Sequence, residues 1–127
     1  MTFLGMAYEE QRALDVLTAD EWQALRKETL DYLETLRTNG HLIDARPLQS
    51  ATLASTVQVR DGRVLITDGP FAETKEQLGG FFLFEAGSMD EALAIAAKWP
   101  SARLGTIEVR PVDDGLRPER RYHAGEQ

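Results

Sequence analysis

Cysteine is absent from the 127 residues, so neither a disulfide framework nor a thiolate metal site can hold this chain together. Its core has to come from side-chain packing alone. Long apolar runs are missing as well: nothing approaches the ~18 consecutive residues of a bilayer crossing, so no membrane partner is expected. Positive charge is scarce, with 14 Lys and Arg against 21 Asp and Glu and a net charge of −7. Nucleic acid, which is held by clustered cations, is therefore not an expected partner. The apolar stretch Phe3 to Tyr8 is followed at once by Glu9 and Glu10 and has no basic region before it, unlike a secretory signal, so the reading is a cytoplasmic protein. His41 and His123 stand apart, without a carboxylate at ligand spacing. No metal and no cofactor are expected, and no Gly-x-Ser-x-Gly elbow, phosphate-binding loop or dinucleotide fingerprint occurs.

What is present is a globular composition, 43% hydrophobic and 28% charged, in a length that suits one domain. Phe3 to Tyr8 reads as an opening buried strand. Thr18 and Glu21 form a Thr-x-x-Glu capping box, and Trp22, Leu25, Thr29, Tyr32, Leu33 and Leu36 then follow at helical steps on one side, with Arg26, Lys27, Glu28 and Glu34 mostly outward. Gly40 ends that helix. Eight acids against three bases between residues 9 and 34 give it an acidic surface, read as a solvated face or as a site for a basic partner. Leu42 and Ile43 lead into irregular chain around Pro47.

Thr52 to Arg60 alternates and is β-branched, and Asp61-Gly62 marks a two-residue type I′ hairpin. Counting outward from the turn sets Arg60 against Arg63, Val59 against Val64, Val57 against Ile66 and Ser55 against Asp68. Val57, Val59, Val64 and Ile66 then share a face with Asp68, a carboxylate at the end of an apolar stripe. Gly69 to Gly80 reads as an ordered loop and Phe81 to Glu85 as the next strand. Ser88 and Glu91 make a second capping box, opening a helix with Met89, Ala92, Leu93, Ala96 and Trp99 toward the core and Pro100 at its end. Thr106 to Val112 is the last strand, with Ile107 and Val109 on one face.

This order of elements predicts an α+β fold: a ferredoxin-like two-layer sandwich with a mostly antiparallel sheet and two helices on one face. The domain spans residues 1–112, and residues 113–127 form a polar C-terminal tail. The face of the sheet without helices would be bare. A second copy is the expected cover, making the protein a homodimer.

The stretch Asp68-Gly69-Pro70-Phe71 followed by Ala72-Glu73-Thr74-Lys75-Glu76 resembles the DGPF group of the YCII-related family. The likeness extends more loosely over the VRDGRVLITDGP hairpin, the GGFFLFE strand, the DEALAIAAKWP helix and the IEVRPV strand. It implies a ferredoxin-like subunit that pairs through its sheets into a dimeric α+β barrel. Some relatives are thought to use a His and Asp pair, with the histidine early in the first helix. That helix begins Thr18-Ala19-Asp20-Glu21-Trp22 here, so the pair is missing.

Asp68 has two readings. As a candidate catalytic acid or base, it would be raised toward neutrality by an apolar neighbourhood. As a turn residue it would accept hydrogen bonds from N–H groups and be lowered instead. The counted register points it inward, into a gap beneath the helices. Phe71 reads as a core anchor or a ligand contact. Glu73 and Lys75 are either solvated ion-pairing residues or groups that close over Asp68, with Gly79-Gly80 as a hinge or a place of close backbone approach. His41 follows the helix exit, facing solvent or lining a site.

Two functions follow. One is a small cofactor-free enzyme or binding protein whose small-molecule ligand lies in an apolar cleft edged by Asp68. Lactone isomerases and cofactor-free monooxygenases share the dimeric barrel, so this is an analogy from fold. The alternative is a non-catalytic accessory or regulatory protein, since DGPF-type proteins resemble those encoded near extracytoplasmic-function sigma factors. A sigma-factor partner would then meet the acidic helix. A tail beginning at Asp113, with Arg117, Arg120 and Arg121, could in addition dock on a partner subunit.

Overall fold

A computed structural model describes residues 1–113 and 115. The chain runs β1 (Thr2–Glu10), α1 (Gln11–Asp15), α2 (Ala19–Thr38), β2 (Leu42–Pro47), β3 (Ser55–Arg60), β4 (Arg63–Asp68), β5 (Glu76–Glu85), α3 (Met89–Ala97) and β6 (Gly105–Pro111). Four strands form an antiparallel sheet in the order β2-β5-β1-β6, while β3 and β4 form a separate two-stranded ribbon. With α2 and α3 packed on one side of the larger sheet, this is a ferredoxin-like α+β sandwich. No helix of the described residues is long and apolar enough to cross a membrane. His123 and the arginines of the expected tail lie outside the described residues.

Local chemistry sets the helix boundaries. The Thr18 hydroxyl accepts from the Glu21 backbone N–H at 3.1 Å, and the Glu21 carboxylate accepts from the Thr18 N–H at 2.9 Å. At the other end, Gly40 takes a φ of 79°, and the His41 N–H returns to the Leu36 carbonyl at 2.8 Å. The Ser88 hydroxyl accepts from the Glu91 N–H at 3.1 Å to cap α3, while the Glu91 carboxylate accepts from the Gly87 N–H at 2.8 Å, one residue before the cap, so the reciprocal box expected there is not completed.

The core lies between the sheet and the helices. Phe3, Phe82 and Phe84 are fully buried on the helix side of β1 and β5, with Leu36, Ala92, Ile95, Ala96 and Trp99 above them. Aromatic rings run through it in sequence: Phe3 on Phe84 at 5.9 Å, Phe84 on Phe82 at 5.1 Å, and Phe82 stacked on Trp99 at 4.0 Å with an interplanar angle of 3°. The edge of Tyr32 meets Trp99, and its hydroxyl donates to the Ile95 carbonyl at 2.6 Å, tying α2 to α3. Gly5, opposite Phe82 in the sheet, leaves the space that this ring fills.

Several sequence expectations change. Leu42 to Pro47 is a strand at the edge of the sheet, not irregular chain. A register shift between Leu42 and Asp44 brings Leu42 and Ala45 to the same face and hides the alternation. Strand β5 begins at Glu76 rather than Phe81. On α3 the buried residues are Ala92, Ile95 and Ala96, whereas Met89 and Leu93 are partly exposed. A short helix, α1, makes a third α-helix beside the two expected.

The hairpin forms with the register counted from its turn, and both Asp61 (φ 51°) and Gly62 (φ 74°) are left-handed, as a type I′ loop requires. It does not join the main sheet, because β2 already occupies the position beside β5. Its base is held by the Gly69 N–H donating to the Ala54 carbonyl at 2.7 Å and the Thr56 hydroxyl donating to the Gly69 carbonyl at 2.9 Å. Val57, Val59, Val64 and Ile66 share a face as expected, but are 58 to 71% exposed.

Replacing Gly5 by valine forces a branched side chain onto the Phe82 ring. Overpacking of this kind costs about 1–3 kcal/mol, so urea unfolding of Gly5→Val is expected to show a lower midpoint with an unchanged slope.

Candidate functional site

The helix side of the sheet changes in side-chain size along its length. One end carries Phe3, Phe84 and Phe82. Further along, Ala7 pairs with Gly80, and Gly80 pairs with Pro47 on β2. Helix α2 rests on the aromatic end and therefore spans a gap over the small residues. The gap is a cavity of about 380 Å³, within the range of small-molecule sites. Its floor is Ala7, Ala45, Gly79 and Gly80. Its walls come from Trp22, Leu25, Thr29, Leu30 and Leu33 of α2, with Leu14 and Trp99 at either side.

Two ionisable side chains line this mostly apolar space, Glu9 and Arg26; Arg46 contributes backbone, since its register opposite Phe81 turns its side chain to the helix-free face. Glu9 is half-buried at the end of β1. The carboxylate occupies the place where a Cβ on Gly79 would stand, so a glycine at that bulged position of β5 is what admits it. Burial pushes its pKa above the ordinary value of 4.5. Among the described residues no hydrogen bond or ion pair offsets that desolvation. Arg46 lies on exposed β2, its guanidinium 3.3 Å from the Asp44 carboxylate. Arg26 lines the α2 wall, although its helical position reads as mostly outward in sequence.

None of the site residues expected from sequence lines this cavity. Asp68 stands opposite Ser55 as counted, yet it is exposed at the base of the ribbon. The expectation that it looks into a gap beneath the helices is corrected, because the ribbon lies outside the sandwich. Phe71 is 79% exposed and anchors nothing in the core. Glu73 is exposed, and Lys75 lies 3.8 Å from the Glu10 carboxylate rather than closing over Asp68. His41 joins two chain segments: its Nδ1 is 2.8 Å from the Glu85 carbonyl, and the Glu85 N–H donates back to the His41 carbonyl at 2.7 Å.

Gly79 and Gly80 serve close approach, the second of the two roles open to them, with Gly80 against the Arg46 carbonyl and Gly79 against Glu9. Glu9 itself escaped the sequence reading. The available signal was a Glu at the end of a buried strand together with a Gly-Gly pair at the start of its partner. The pairing of those strands is a long-range fact.

A carboxylate raised by burial binds a proton more tightly in the folded chain than in the unfolded one. Its stabilising contribution is thus fully present below 4.5 and is lost as pH rises through the folded-state value. Glu9→Gln removes that dependence. The variant is expected to melt at or above the wild-type temperature at pH 7, with the difference shrinking as pH falls toward 4.5; a difference that grows on acidification would contradict the placement of Glu9.

The sequence profile of the YCII-related domain matches residues 1–114. An uncharacterized protein of Rhizobium meliloti (strain 1021) is 32% identical over 114 residues, which cover 88% of this chain and 92% of that protein.

Proposed function

The chain belongs to the YCII-related family, and on that footing we propose that it binds a small organic molecule in the cavity between α2 and the sheet, with Glu9 as the acid or base toward it. The observation that carries this reading is the half-buried Glu9 carboxylate, raised by desolvation and facing apolar walls. A group so placed holds or releases a proton nearer neutrality than a solvated glutamate does, which is the requirement for general acid–base work. Trp22, Leu25 and Leu33 offer surface to a hydrocarbon body, while Arg26 supplies positive charge for an anionic substituent. The reading keeps acid–base chemistry but centres it on Glu9 rather than Asp68. It includes pairing of two copies through the helix-free face of the sheet, where Leu4, Met6, Phe81 and Leu83 are half-buried with no helix above them.

A thermal-shift screen of small organic acids, ketones and lactones against the wild type, Glu9→Gln, Ala7→Leu and Asp68→Asn tests this. Ligand binding raises the melting temperature by mass action. A hit is expected to lose most of its shift in Glu9→Gln and in Ala7→Leu, which fills the floor, and to keep it in Asp68→Asn. A shift abolished only by Asp68→Asn would return the site to the ribbon base.

A further inference from the structure

We propose that the β3–β4 ribbon is an arm that reaches onto a second copy of this chain, burying the face formed by Val57, Val59, Val64 and Ile66. A two-stranded ribbon on its own is marginal in water. The hydrogen bonds at its base, among Ala54, Thr56 and Gly69, join its own two strands to each other. Its apolar face is 58 to 71% exposed, and its four β-branched side chains form a continuous strip of the type that associating surfaces bury.

Area and charge identify the occupant. The four side chains present roughly 400 Å² per arm, about half of what one partner contributes to a standard stable interface. The arm therefore adds to a larger contact rather than making one alone. Two arms exchanged about a twofold axis, beside the helix-free sheet face, would supply such an addition twice. The tip carries Arg60 against Arg63 with Asp61 in the turn between them, leaving one net positive charge. The helix-free face of the same chain carries Glu108 opposite Met6 and Glu10 opposite Glu76, with Lys75 3.8 Å from Glu10 and Arg110 further along opposite Leu4. One carboxylate oxygen of Glu76 is buried and has no hydrogen-bond partner among the described residues. An arginine tip from a second copy is complementary to that acidic margin.

The inference extends the pairing proposed above, and one experiment separates the two. Sedimentation equilibrium would compare the wild type with Val57→Thr/Ile66→Thr, which keeps β-branched strand formers but removes apolar surface, and with Leu65→Thr on the opposite face of the ribbon. The expected result is a dimeric wild type, a dimer dissociation constant at least ten-fold higher in the double variant, unchanged far-ultraviolet circular dichroism, and little change in Leu65→Thr. A double variant that dimerises as tightly as the wild type overturns the arm and leaves the pairing standing. Equal weakening by Leu65→Thr also overturns the arm, and a wild type that is monomeric up to 100 µM overturns both.

Discussion

The stacking of Phe82 on Trp99, in the space left by Gly5, is the contact on which the rest of the architecture depends. It joins the central strand β5 to the end of α3, and through Tyr32 it fixes α2 at a set height above the sheet. Aromatic pairs of this kind add about 0.5–1.5 kcal/mol beyond the area they bury. Their larger effect here is geometric. Because the bulky rings are confined to one end of the sheet, the 20-residue helix resting on them leaves a gap over Ala7, Gly79 and Gly80 at the other. The cavity is a consequence of that gradient of side-chain size.

The same gradient explains the electrostatics. A glutamate at the end of a strand ordinarily stands in water. Glu9 is drawn under α2 because its strand position faces the helices and because Gly79 presents no side chain to exclude it. Desolvation then raises its pKa without a partner charge. A glycine at a bulge thereby becomes a determinant of acidity, although it bears no functional group.

Local chemistry was legible in the sequence. The Thr18–Glu21 box, the Ser88 cap, the Gly40 terminator and the Asp61-Gly62 register depend on residues a few positions apart, and each forms as its chemistry dictates, although Glu91 bonds the Gly87 N–H rather than closing a box on Ser88. The α+β sandwich followed from the order of such elements. The partner of each strand did not follow. The register shift in β2 masks Leu42 and Ala45 as a strand, so in sequence the hairpin stands as the only strand pair between the first helix and β5. Counting the hairpin into the sheet turns Asp68 and Phe71 inward, whereas both are exposed in the fold. The candidate site was missed for the same reason, since Glu9 and Gly79 are 70 residues apart and meet through strand pairing.

The central claim is that a gap left by small residues beneath α2 holds Glu9 out of water. Carbon-13 NMR titration of the Glu9 side-chain carboxyl, followed from pH 3 to 9 in the intact protein, measures this at the atom concerned. The expected midpoint lies above the ordinary 4.5. A midpoint at or below that value would contradict it.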